Sequence, residues 1–156
     1  MKNALQRGFT LIELLVVIAI IGILAAVVLG SLNDARDNAN DASAKSSFAN
    51  LRSQAEIHYN ENSFSYDGMC AYDAADPSSI QNLVEASNTQ VGGTLAGSGA
   101  TLSARYSAVD CNEDDTTGYA VEIELRSGNF YCIDSSGFAG EQTAAGLASG
   151  TDILCS

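Results

Sequence analysis

The chain has no tryptophan, one proline (Pro77), one histidine (His58) and only seven lysine and arginine residues among 156. Each shortage excludes something. A single histidine rules out sites built on several imidazoles. No two of the four cysteines stand in a C-x-x-C pair, so a Cys/His zinc site of ordinary spacing has no ligand set. Nineteen acids against seven bases give a net charge of -12, and such a surface repels phosphate backbones, so direct nucleic-acid binding is not expected. The Gly-rich stretch 92–99 has no lysine after it and is no phosphate loop. His58 stands near Glu56 and Glu61 without a nucleophile at any recognisable spacing, and no catalytic constellation emerges. No enzymatic activity and no cofactor are expected.

What the chain does have is a concentrated apolar run. Residues 9–32, FTLIELLVVIAIIGILAAVVLGSL, carry one charge, Glu13. As a helix they would reach about 36 Å, enough for a bilayer core of about 30 Å. Residues 1–8 are short and polar, with Lys2 and Arg7 and no acid, which places them on the cytoplasmic side and sends the rest outward. A cleaved secretory signal would explain the apolar run, but the run is long and its carboxylate is unusual. A plain anchor leaves Glu13 without a reason, since a carboxylate at the hydrocarbon edge is costly unless partnered.

The string Gly8-Phe9-Thr10-Leu11-Ile12-Glu13, followed by the apolar run, resembles the class III leader of type IV prepilins and type II secretion pseudopilins. The resemblance is specific over residues 7–32 and looser beyond. It implies a leader at 1–8, cut by a prepilin peptidase between Gly8 and Phe9, with N-methylation of Phe9. It implies that residues 9–32 serve first as a transmembrane segment and then as the fibre-core half of a long helix. It implies that Glu13 neutralises the terminal amine of a neighbouring subunit. Many major pilins carry a proline late in this helix. Here Gly30 stands in its place, and Gly22 and Gly30 bracket a stretch that either loosens on assembly or lets helices approach closely.

Leu32, Ala35, Ala39, Ala42, Phe48, Leu51, Ala55 and Tyr59 recur at mostly helical spacing, which extends the helix over roughly 9–60 and ends it near Asn60–Ser63; the stripe lies on the head, or its Ala-rich part, 35–42, instead faces neighbouring subunits, since small side chains allow close packing. Asp76-Pro77-Ser78-Ser79 offers an N-cap and a first-turn proline for a short helix near 77–87. Tyr119 to Leu125 alternates with period two and one buried face, Ser127-Gly128-Asn129 is a turn, and Phe130–Ile133 reads as the return strand. Leu102–Val109 reads as a third strand, and 135–154 as a tail too poor in large apolar side chains to order itself. The fold expected is α+β, the pilin-like lollipop: a long N-terminal helix, apolar in its first half, on a small antiparallel sheet. Residues 33–156 form the head, including the helix's amphipathic half.

With the head outside the cytosol, Cys70, Cys111, Cys132 and Cys155 suggest two disulfides, and three pairings are open. Cys70–Cys111 with Cys132–Cys155 is preferred. The second bond would pin the tail to a strand and resembles the disulfide-bounded C-terminal region of many pilins. Asp110, Asn112 and Asp114 have the alternate spacing of a calcium loop's start. Position six is Asp115 rather than Gly and position twelve Val121 rather than Glu, so the pattern fails and leaves a weak calcium candidate beside the simpler reading of a solvated acidic loop.

The resemblance implies a major or major-like pilin polymerising into a type IV pilus for adhesion, motility or DNA uptake. A type II secretion pseudopilin is the alternative, and an anchored ligand-binding or enzymatic domain is a further one from another class. The implied partners are copies of itself, the prepilin peptidase, the pilus or secretion assembly platform and, before assembly, the inner membrane. The assembled product would be an extracellular fibre.

Overall fold

The computed structural model describes residues 9–75, 77–95, 100–114, 117–147 and 152–155. Helix α1 runs unbroken over Leu11–Glu61. It stops where Ser63 and Phe64 turn left-handed, with φ of 59° and 63°, and Phe64 N–H donates back to Tyr59 O at 2.9 Å. The chain divides into two compact units, one ending at Arg36 and the other Asp37–Ser156.

In the first unit α1 is apolar on every side, with a mean hydropathy of 3.1 over its best membrane-length window, none of it buried. It is the one helix among the described residues long and apolar enough to cross a membrane. Gly22 and Gly30 lie within the continuous helix, and an added Cβ at either meets nothing within 4 Å.

The second unit is the head. Helix α2, Ser79–Val91, is capped at its start by the Ser78 hydroxyl, which accepts from Gln81 N–H at 3.1 Å. It ends on Gly92 at φ 85°, the left-handed geometry glycine adopts without strain. Pro77 therefore precedes the cap rather than opening the first turn, and the helix outlasts its expected end by one turn. Leu102–Arg105 is a short helix, α3, followed by strand β1 at Val109–Asp114. The expected third strand at 102–109 is thus replaced: the Thr101 hydroxyl caps α3 through Ala104 N–H, and pairing begins where 102–109 was expected to end.

Strands β1, β2 (Gly118–Glu124), β3 (Phe130–Asp134) and β4 (Ala139–Gln142) form an antiparallel meander in sequence order. Its inner face carries Val109, Cys111, Tyr119, Val121, Ile123 and Ile133. These join Ala44, Phe48, Leu51 and Ala55 of α1, with Ile80, Val84, Leu102 and Tyr106, in one core. Of the expected stripe on α1, Phe48, Leu51 and Ala55 are buried, whereas Leu32, Ala35, Ala39 and Ala42 are exposed, and the buried line runs 41-44-48-51-55. The alternation seen in β2 does not leave one face wet, because Leu147 and Cys155 cover Ala120 and Cys132 on the outer face. Glu122 is thereby buried.

Strand β4 had no sequence signal, since Ala-Gly-Glu-Gln is a poor strand former. The Asp134 carboxylate creates it by closing the preceding turn. One oxygen accepts from Ser136 N–H, the Ser136 hydroxyl and Phe138 N–H at 2.9, 2.6 and 3.0 Å.

Candidate functional site

The apolar helix begins at a reciprocal cap. Thr10 N–H and the Thr10 hydroxyl donate to one Glu13 carboxylate oxygen at 2.9 and 2.8 Å, and Glu13 N–H donates to the Thr10 hydroxyl at 3.2 Å. This is the capping box, Thr-x-x-Glu. Glu13 thus has neutral donors within its own chain, and the signal for them was legible in the Thr10–Glu13 spacing, though the carboxylate alone drew attention. Phe9 stands just before the helix and is exposed, while Gly8 lies outside the described residues.

The cysteines are joined as Cys70–Cys111 and Cys132–Cys155, with Cα separations of 5.7 and 5.9 Å. Around the first bond, Glu113 on β1 accepts from Gly68 and Cys70 N–H at 3.1 and 2.6 Å. Burial pushes the Glu113 carboxyl up, against the pull of those two donors. Around the second, Asp134 accepts from Cys155 N–H at 2.9 Å through the oxygen its turn leaves free. Burial acts to raise Asp134, but Ser136, Cys155 and Phe138 as donors outweigh it and hold the carboxyl below its ordinary value.

Residues 110–114 of the acidic run belong to strand β1 rather than to a loop, and Asp115 lies outside the described residues. Asp110, Asn112 and Asp114 lie along one side of β1, spread over about 13 Å from first to last. Calcium ligands sit about 2.3–2.6 Å from their ion, so these three cannot converge on one. Asn112 instead donates to Asp152 O at 3.0 Å. No group of three or more His, Cys, Asp or Glu side chains suited to a metal occurs among the described residues. His58 Nε2 lies 3.0 Å from Asp67 O, and Glu56 accepts from the Tyr66 hydroxyl at 3.2 Å, so each of these neighbours serves the turn after α1 separately.

The least foreseen residue is Asp41. It occupies the helical stripe as a buried carboxylate, accepting from Arg126 and Ser127 N–H at 2.8 and 3.1 Å. It thereby caps the β2–β3 turn. Beside it Arg126 pairs with Asp37 at 3.2 Å and donates through Nε to Gln90 O at 2.9 Å. One arginine so joins α1, the turn and the end of α2. Lys45 pairs with Glu141 further along α1, tying β4 to the helix.

The family model described as the prokaryotic N-terminal methylation motif matches residues 3–29. The type IV major pilin protein PilE1 of Neisseria gonorrhoeae is 38% identical over 102 residues, which is 62% of this chain and 62% of that protein. The type IV major fimbrial protein FimA of Dichelobacter nodosus is 44% identical over 78 residues, 49% of this chain and 44% of its own. The type II secretion system core protein G of Dickeya chrysanthemi is 41% identical over 58 residues, 37% of this chain and 38% of its own. The matched stretches span less than two thirds of each of these relatives. No solved structure matches the chain. The chain carries the prepilin-type N-terminal methylation motif, and its relatives are type IV pilins, fimbrial proteins and a type II secretion core protein.

Proposed function

We propose that this chain is a structural subunit, of the major-pilin kind, that polymerises into a type IV pilus serving adhesion, motility or DNA uptake. One observation carries the reading: an apolar helix exposed on every side that begins at a single carboxylate, Glu13. Such a surface is stable in lipid or against equivalent helices, and nowhere in water. In this reading a prepilin peptidase cuts between Gly8 and Phe9 and the new Phe9 terminus is methylated. Subunits wait in the inner membrane with their heads outside the cytoplasm. The assembly platform extracts them, helices re-bury against helices, and the acidic heads form the coat of an extracellular fibre. Glu13, held by Thr10 in the single subunit, adds the ammonium of a neighbour's Phe9 to its neutral donors. The charged partner is the stronger one in a dry site. The two disulfides staple a head that works outside the cell. No enzymatic role, cofactor or direct nucleic-acid contact belongs to this function.

A second reading, a pseudopilin of a type II secretion system, is favoured by the identity with core protein G. Replacing Glu13 separates outcomes. Glu13→Val should leave insertion and processing intact, with mass spectrometry finding N-methyl-Phe9, while surface fibres seen by electron microscopy become few or absent. Normal fibres in that strain contradict the assembly role. Loss of protein export in a strain whose surface fibres are unchanged would transfer the chain to the secretion reading.

A further inference from the structure

Two carboxylates hold the C-terminal segment over the outer face of the sheet. Asp134 grips it beside the Cys132–Cys155 bond, through Cys155 N–H. Glu122 grips it at the other end, where Oε2 accepts from Gly146 N–H at 2.8 Å. Glu122 is 1% exposed, and its second oxygen, Oε1, is buried with no hydrogen-bond partner among the described residues. Directly opposite in the ladder stands Asp110, the register partner of Glu122 on the same face, itself exposed at its outer side. Opposed side chains of this kind have Cβ atoms about 5 Å apart. Beside them lies a cavity of about 40 Å³ lined by Ser107, Ala108, Asp110, Glu122, Glu124 and Phe130.

Among the described residues, the groups facing this pair are all acidic or neutral. Strand β1 contributes Asp110 and Asn112, and β2 contributes Glu124. Strand β3 contributes the bonded Cys132 and Asp134, and the C-terminal segment Gly146, Leu147 and Asp152. No lysine, arginine or histidine among the described residues pairs with Asp110 or Glu122. Two carboxylates opposed on a sheet repel, and a buried acceptor without a donor is costly. One proton removes both penalties. Placed on Glu122 Oε1, it turns the orphan acceptor into a donor facing Asp110 and leaves the pair one negative charge instead of two.

We propose that Asp110 and Glu122 share one proton in the folded head, and that this proton latches Gly146 and its neighbours onto the sheet. The reading rests on the head alone and is independent of fibre formation. Burial raises both carboxyls above their ordinary values; at Glu122 the Gly146 and Leu147 N–H groups pull the other way and Asp110 adds to the rise. A group raised in the folded state stabilises it below the ordinary glutamate value of about 4.3 and loses that contribution as pH rises through the raised value. The latch is therefore shut in acid and opens with rising pH. Asp134 has the opposite sign, so the disulfide end stays seated while the Gly146 end lifts.

The test uses the full chain in detergent, following the Glu122 carboxyl carbon by NMR together with amide exchange at Gly146 and Leu147, corrected for base catalysis. Expected is a Glu122 midpoint above the ordinary range, with protection at both amides falling through the same midpoint by up to tenfold per pH unit. Asp110→Asn should move the midpoint down. Glu122→Gln should keep the amides protected at every pH. A Glu122 midpoint in or below the ordinary range, or protection that ignores it, overturns the proposal. So does restored protection at high pH on adding calcium chloride with Glu122 ionised, which would assign the pair to a cation. Should either variant fail to fold, the titration of the unaltered chain decides alone.

Discussion

Two stretches of one helix solve opposite problems. Between Phe9 and Leu32 no large apolar side chain is less than 47% exposed, whereas Ala44, Phe48, Leu51 and Ala55 are fully buried. The first stretch buries none of its large apolar side chains among the described residues, and its apolar area is a demand on lipid or on other copies. The second meets a sheet whose turns and loops are held by carboxylates of the head itself, Asp41, Glu113 and Asp134. The boundary at Arg36/Asp37 is where charge takes over: Asp37 and Asp41 are the first α1 residues to bond with the rest of the head. The lesson is that helix propensity alone does not say which stretch belongs to the subunit and which to the assembly; side-chain bookkeeping does.

The comparison is broken most forcefully by core truncation. Phe48→Ala should cost the head about 3–5 kcal/mol, while Ile18→Ala, on the exposed stretch, should leave head stability within about 0.5 kcal/mol. Thermal unfolding of both variants in detergent checks this, and equal losses would mean the two stretches do not differ as described.

Loss of a single disulfide comes next. The bonds span sequence separations of 41 and 23. Chain entropy then assigns about 4 and about 3.5 kcal/mol to them. Cys155→Ser should raise protease sensitivity after residue 134 and leave the helix content of 11–36 unchanged. Limited proteolysis with circular dichroism reads both.

Asp41→Ala strands the N–H groups of Arg126 and Ser127 and should cost about 1–3 kcal/mol, with Asp41→Asn losing less because one acceptor remains. Exchange at those two amides is the local readout.

The smallest effect is that of acid on Asp134. Its carboxyl is lower in the folded state, so its contribution is complete above the ordinary value of about 3.9 and is lost as pH falls through the lower folded one. Exchange at Phe138 and Cys155 should therefore quicken in strong acid, and Asp134→Asn should flatten that dependence.

What the sequence disclosed follows from which forces are local. Periodicity in 119–125 and 130–133 placed β2 and β3 because alternation is written in consecutive residues. The Thr10–Glu13 cap and the Ser78 cap are also short-range. Strand β1 hid inside an acidic run because its charges are answered at a distance, Glu113 by Gly68 and Cys70, Asn112 by Asp152. Strand β4 hid because its turn, and not its own residues, puts it there. Asp41 broke the apolar stripe and was passed over, since only the folded turn explains a carboxylate in that position. Glu122 read as a solvent-facing residue because the segment that covers it is distant in sequence and weakly patterned.

The central claim is that residues 9–32 are completed by copies of themselves. Helical reconstruction of fibres purified from cells producing this chain tests it most directly. The account predicts a core built from residues 9–32, their apolar side chains packed against neighbouring helices and Glu13 near a neighbour's Phe9 nitrogen, with heads that keep both disulfides. Fibres whose core is made by the heads, with residues 9–32 outside it, would contradict the account.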